Sequence, residues 1–234
     1  MVININEIHT TIRRQLKLRS LDPDNNKINV MVMYSGGADS LSLAKNLLEC
    51  TDFSLYLHHV VMKNFEQRDE FQWNVLEDQM RFLKEKTREF EFIHSTTNMQ
   101  IGLEGKFVGL DSTTALFMGA RSCLALKNKI SVVYTGHLMA TRDADMFEGI
   151  TVFNAMFANR RFKPNWLCPF RSLKRDTAKA KIYQSLGPEG LDLTVSCRKP
   201  KKINEKYTSC NKCHACKTRR STLQELGWDL KLIK

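Results

Sequence analysis

No stretch of this chain stays apolar long enough to span a bilayer, and the first residues lack the apolar core of a secretory leader, so a cytosolic home is expected. Internal repeats and low-complexity tracts are absent, which excludes solenoids and spacer-like segments. The Walker signature G-x-x-x-x-G-K-S/T is missing, which excludes the commonest NTPase phosphate loop. Seven cysteines in 234 residues are too few for a disulfide scaffold. Cys123 and Cys168 form no C-x-x-C, which counts against sulfur transfer through a close cysteine pair. What remains is a soluble composition, 42% apolar and 26% charged, of a size for one large domain or a domain with an appendage.

The most informative stretch runs from Ile28 to Leu48. An apolar, β-prone run ends at Tyr34 in Ser35-Gly36-Gly37-Ala38-Asp39-Ser40. Beyond it Leu41, Ala44 and Leu48 recur at helical spacing. A strand, a glycine turn and a helix start in this order make a phosphate cradle. The turn presents backbone N–H groups, the helix N-terminus adds partial positive charge, and glycine lets a phosphate approach without a Cβ in the way. Ser35 and Ser40 add hydroxyl donors. A carboxylate here repels phosphate unless a cation or an N–H holds it, so Asp39 points to Mg2+ or to a capping role. The candidate phosphate site is the run Tyr34, Ser35, Gly36, Gly37, Ala38, Asp39, Ser40, Leu41, Ser42, Leu43 and Ala44, with Asp39 and Ser40 as candidate catalytic groups.

Around this centre the chain alternates strands and helices, which predicts a doubly wound, mostly parallel α/β sheet of Rossmann-like type. Ile8, Ile12 and Leu16 predict a short helix ahead of the first strand, followed by a polar turn at Asp22–Asn26. Phe53–Val61 reads as the second strand, with His58 and His59 either near the nucleotide or merely at a strand end. Residues 66–90 read as an amphipathic helix with Trp73, Leu76, Met80 and Leu83 on a core stripe. Phe90–His94 reads as a strand, the glycine-bearing segment Asn98–Asp111 as a loop, and Thr114–Lys127 as a helix capped by Ser112 or Thr113. A strand at Ile130–Thr135 leads to Gly136, and Asp143 and Asp145 follow. Those two acids either hold Mg2+ or a purine-like substrate, or form a surface turn. Asn154–Lys163 reads as a lid or a dimer surface, and Pro164–Phe170 as irregular. Lys174, at the start of a helix that Gly187-Pro188 stops, either faces the nucleotide phosphates or is an ordinary charged residue.

The tail carries a second signal. Cys197, Cys210, Cys213 and Cys216 have the spacing C-x12-C-x2-C-x2-C, enough to complete a tetrahedral Zn2+ site with a closed shell. An iron–sulfur cluster accepts the same ligand set, and zinc is favoured because no redox motif accompanies it. The expected division is 1–193 for the ATP-binding α/β domain and 194–234 for a zinc-binding extension packed on it. Charge is uneven: residues 160–234 hold 19 Lys/Arg against 6 Asp/Glu, while the rest is slightly acidic. The basic third is not interleaved with aromatics, so a solvated surface facing small anions is preferred over nucleic acid.

The S-G-G-x-D-S run resembles the loop of the ATP pyrophosphatase (PP-loop) enzymes. The tail residues Thr194, Ser196, Cys197, Cys210, Cys213, Cys216 and Arg219 match T-x-S-C…C-x-x-C-x-x-C-x-x-R. Together with Pro169, Leu173 and Lys174, they make the chain similar to the 7-cyano-7-deazaguanine synthase family over residues 28–227. The resemblance implies ATP, Mg2+ and Zn2+ as cofactors, a 7-carboxy-7-deazaguanine substrate and ammonia. The implied reaction adenylates the carboxylate, forms the amide, then adenylates the amide oxygen to give the nitrile. It also implies roles for Lys174, Gly136 and Asp143, and a tendency to form a homodimer. The family's G-x-N…D…Y-P-D-C-R stands here as Gly136-His137-Leu138…Asp143…Asp145-Met146-Phe147, without the tyrosine, proline or Cys-Arg. Modification of tRNA through an adenylated intermediate is the alternative.

Overall fold

The computed structural model describes residues 6–19, 21, 28–63, 69–98, 111–127, 129–138, 144–173, 175–203 and 206–232. The elements are α1 (Asn6–Leu18), β1 (Asn29–Met33), α2 (Ala38–Cys50), β2 (Ser54–Lys63), α3 (Asp69–Lys86), β3 (Glu91–Asn98), α4 (Asp111–Ala125) and β4 (Ile130–Tyr134). They continue with α5 (Ala144–Ala155), β5 (Asn165–Leu167), α6 (Arg175–Asp192), β6 (Lys201–Ile203), β7 (Lys206–Thr208) and α7 (His214–Leu226). Strands β1 to β5 form one sheet in the order β3-β2-β1-β4-β5, and every neighbouring pair is parallel. The expected α/β class and doubly wound sheet are therefore present. Among the described residues, no helix is long and apolar enough to cross a membrane.

Parallel strands need both faces covered, and β1 shows how the sequence arranges this. Its side chains alternate with period two. Val30, Val32 and Tyr34 pack with α1, α2, α3 and α6, whereas Met31 and Met33 pack with α4 and α5. On α1, Ile8, Ile12 and Leu16 are buried as their spacing predicts. The order places β1 between β2 and β4, so the β1–α2 turn sits at the centre of the sheet's C-terminal edge.

Several elements differ from the sequence reading. Trp73 is 43% exposed, while Leu76 and Leu83 are buried, so the core face of α3 is narrower than the stripe suggested. α4 begins at Asp111, which puts Ser112 and Thr113 inside its first turn rather than ahead of it. Residues 165–167 form the edge strand β5, not irregular chain, because they pair with Val132, Val133 and Tyr134. In Asn154–Lys163, Phe157 belongs to the core beneath α4 and packs on Phe153, while Ala158 to Arg161 are exposed. Gly187, at φ 69°, does end the regular part of α6, and Pro188 starts a further turn. The turn at 22–26 and nearly all of the 98–111 segment lie outside the described residues.

Ile12→Ala removes a side chain with no exposure from the α1 contact. It should destabilise the protein by about 2–4 kcal/mol, read as a lower urea midpoint with an unchanged slope. His58 is buried beneath α4, with Nε2 2.9 Å from Ser95 Oγ. Burial, helped by His59 and His94, lowers its pKa from 6.5 to about 4. Between these values the unfolded chain binds a proton that the folded chain does not. Stability from this group is thus complete above about pH 6.5 and is lost as pH falls toward 4. His59 shifts in the same direction, through burial. Urea midpoints measured over that range should fall with falling pH, and His58→Gln should flatten the slope.

Candidate nucleotide site and metal centre

The β1–α2 turn is held from beneath by its own hydroxyls. Ser40 Oγ accepts from the Ser35 N–H at 3.2 Å, lies 3.2 Å from Ser35 Oγ and donates to the Gly37 carbonyl at 3.1 Å. Gly36 takes φ 75°, a left-handed conformation that disfavours any side chain. Gly37 caps α2, and no side chain occupies the cap. The first N–H groups of α2 are therefore not closed off by a capping oxygen, which suits them to an anion.

Two further elements brace the turn. Gln79 on α3 is fully buried. It accepts from Tyr34 Oη at 2.5 Å and donates through Nε2 to the carbonyls of Gly36 (2.9 Å) and Leu193 (2.7 Å). Its amide thus ties the turn to the segment that leads into the cysteines. Val195 N–H also donates to the Gly36 carbonyl, at 3.4 Å. His59 Nδ1 lies 2.8 Å from the Tyr34 carbonyl, and burial holds the Tyr34 hydroxyl protonated. At the end of β4, a Cβ on Gly136 would stand 3.0 Å from the Asp39 carbonyl group and 3.1 Å from Ser40 N. Only glycine lets β4 approach the start of α2 this closely.

Asp39 is bound by a residue that the sequence did not single out. Lys179 Nζ, from α6, lies 2.6 Å from each oxygen of its carboxylate. The structure therefore brings Ser35 to Ser40 and Gly136 together. Leu41, Ser42, Leu43 and Ala44, by contrast, turn their side chains into the core, with Ser42 Oγ 2.6 Å from Ser185 Oγ. They seat α2 and do not line the turn. Lys174 and Asp143 lie outside the described residues, as does the side chain of Asp145. Gln79 had one sequence signal, a polar residue in phase with Leu76 and Phe82 on an otherwise apolar face. Lys179 had none.

The tail folds as two short antiparallel strands, β6 and β7, followed by α7. The sulfurs of Cys197, Cys210, Cys213 and Cys216 all lie within 4.8 Å of one another, and among the described residues they are the group that can close on a metal ion. Backbone N–H groups point at them: Lys199 and Cys210 donate to Cys197 Sγ at 3.4 and 3.2 Å, and Cys213 donates to Cys210 Sγ at 3.3 Å. Such donors favour thiolate, and those of Lys212 and Cys213 draw Cys210 down to about 6. Burial acts the other way on Cys197 and Cys216, whose protons a bound cation would displace.

Arg219 of α7 links this cluster to the turn. It is fully buried and donates to the carbonyls of Thr194 (3.0 Å) and Leu191 (2.7 Å) and to Thr194 Oγ1 (2.9 Å). The chain from the end of α6 to Cys197 is thus pinned by Arg219 at Leu191 and Thr194, by Gln79 at Leu193, by the Gly36 carbonyl at Val195 and by Cys197 at its end. Cys50, Cys123 and Cys168 stand apart and buried. Burial pushes Cys50 and Cys123 to about 12, and Cys168 donates to the His137 carbonyl at 3.0 Å.

No protein-family model matches the chain, and no curated protein matches it. Among solved structures, it is similar to the U34-tRNA thiolase NcsA from Methanococcus maripaludis, determined with its 4Fe–4S cluster. The TM-score is 0.57 and the identity 17%, covering 95% of this chain and 73% of that one. At that identity the likeness concerns the fold.

Arg219→Met takes the guanidinium donor from the buried Thr194 carbonyl and one of three donors from the Leu191 carbonyl, which still accepts from the N–H and hydroxyl of Thr194. It should cost about 3 kcal/mol or more, read as a lower melting temperature. Arg219→Lys should not rescue it, because an ammonium cannot span the same forked set of acceptors.

Proposed function

We propose that this protein adenylates a carboxylate with ATP, releasing pyrophosphate, and passes the activated carbon to ammonia in the manner of the 7-cyano-7-deazaguanine synthases. The observation that carries this reading is the joining of the S-G-G-x-D-S turn to the four-cysteine tail. The residues of the T-x-S-C…C-x-x-C-x-x-C-x-x-R pattern work as one unit, with Arg219 bonded to Thr194 and Cys197 in the four-thiol cluster. That unit ends on the carbonyl of Gly36.

The chemistry asks little of side chains. A carboxylate is a poor electrophile, and adenylation turns one of its oxygens into a leaving group. Fixed N–H donors in the first turn of α2, beside the hydroxyl of Ser35, are suited to charge that builds on departing pyrophosphate. Mg2+ carried with ATP would supply further positive charge there, and Asp39, part-exposed at the turn and held by Lys179 in this structure, is the carboxylate that would take it. No nucleophilic side chain is required, in keeping with the burial of Cys50, Cys123 and Cys168.

Zinc suits the tail better than a cluster. A tetrahedral ion with Zn–S bonds near 2.3 Å sets its thiolates about 3.8 Å apart. A four-iron cubane spreads them to roughly 6 Å. Sulfurs gathered within 4.8 Å fit the single ion. With four sulfurs the shell is closed, so the ion is structural, and Arg219 buried near Cys216 offsets the negative charge of the thiolates. Metal analysis of the purified protein should give about one zinc per chain and no iron–sulfur colour.

A second reading, adenylation of a tRNA base, has the fold likeness to a tRNA thiolase and the exposed cations Lys199, Lys201, Lys212, Lys217 and Arg220 in its favour. One experiment separates the two. The metal-loaded protein is incubated with ATP, Mg2+, ammonium and 7-carboxy-7-deazaguanine, and AMP and base products are followed by mass spectrometry. The synthase reading predicts amide or nitrile with matching AMP, abolished by Asp39→Ala. AMP release that depends on tRNA and not on the deazapurine would overturn it.

A further inference from the structure

The turn between β1 and α2 contains no cation. From Tyr34 to Ala44 there is neither Lys nor Arg, and Asp39 makes the stretch net negative. A Walker loop solves this problem with a lysine of its own next to the turn. Here the fold brings one from 140 residues away, with Lys179 Nζ 2.6 Å from both oxygens of Asp39. Neighbouring lysines are committed elsewhere: Lys45 to Glu49 and Lys181 to Glu7. Among the described residues, Lys179 is the cation that reaches the turn.

Its environment suits a ligand contact better than a structural bridge. A bridge that only holds the fold gains from being shielded, yet both partners are about one-third exposed, 32% for Lys179 and 30% for Asp39. An ammonium has three N–H donors, more than one carboxylate can use at a single point. The pair sits at the first turn of α2, where no side chain caps the helix. An anion arriving at those N–H groups meets a neutral Asp39–Lys179 pair, not a bare carboxylate.

We propose that Lys179 is the phosphate-binding lysine of this turn. It neutralises Asp39 in the nucleotide-free protein and donates to the pyrophosphate end of the nucleotide when it binds. This rests on reading Tyr34–Ala44 as a pyrophosphate loop, and it adds a residue that lies outside both sequence motifs. It also assigns α6 a task beyond packing: it delivers the charge that a pyrophosphate leaving group needs.

Calorimetric titration of the metal-loaded protein with inorganic pyrophosphate, and separately with a non-hydrolysable ATP analogue, tests the assignment. Lys179→Met should weaken both ligands roughly ten- to a hundredfold, the range of a charged hydrogen bond. Lys179→Arg should stay within a few-fold of wild type. The variant Asp39→Asn/Lys179→Met strands no charge, so it is the folded control. If Lys179 only restrains Asp39, the double variant binds as tightly as Asp39→Asn alone; if Lys179 binds phosphate, the double variant stays weaker. Wild-type affinity in Lys179→Met, or equality of the double variant with Asp39→Asn, would overturn the proposal. If the wild-type protein binds neither ligand, the pyrophosphate-loop reading itself falls. A wild type that binds and a Lys179→Met that binds equally well sink only the role of Lys179.

Discussion

The carbonyl oxygen of Gly36 accepts a hydrogen bond from the Gln79 side chain and another from the Val195 backbone. Through those two bonds three separate parts of the chain share one turn. Gly36 has φ 75°, a conformation that points its carbonyl away from the ordinary strand direction, and an acceptor buried there needs donors. Gln79 supplies one from α3 and uses the rest of its amide on Tyr34 and Leu193. Val195 supplies the other from the segment that begins the cysteine tail. The geometry of the turn is therefore fixed by Gln79 and Val195 as well as by its own serines.

This arrangement explains why the four-thiol cluster lies so near the β1–α2 turn. Residues 193–197, between α6 and the first cysteine, pair with no strand among the described residues, and so short an irregular stretch would not hold its shape alone. Arg219 donates from α7 to the carbonyls of Leu191 and Thr194, and Cys197 anchors the end of the stretch in the four-thiol cluster. An ion held by the four thiols would add folding free energy at this place. Preorganised donors are worth most when they need not move during reaction, so a rigid brace behind the turn bears directly on the chemistry proposed for it.

Some of this was legible in the sequence and some was not, for physical reasons. The turn and the cysteine cluster were legible because their chemistry is local: short spacings fix which atoms face one point. The alternation of β1 and the α1 stripe were legible because a half-buried element repeats with its own period. Arg219 was legible only as the last position of the tail motif, whereas Gln79 and Lys179 draw their meaning from partners 43 and 140 residues away, and nothing in their immediate neighbours marks those distances. Residues 165–167 look irregular beside Pro164 and Pro169, because only pairing with β4 makes them a strand. Trp73 is in phase with Leu76, yet lies over His94 at the edge of the sheet, half open to solvent. Periodicity says which face is apolar, not how far the neighbouring strands extend beneath it.

The central claim is that the cysteine tail and the phosphate turn form one mechanical unit. Amide hydrogen exchange on the metal-loaded protein and on the same protein after chelation tests it most directly. The account predicts that removing the ion raises exchange in residues 191–197 and, together with it, in Gly36 to Ser40, while β2 and β4 keep their protection. If exchange rises only between Cys197 and Cys216 and the turn is unaffected, the tail is an independent module and the account is wrong.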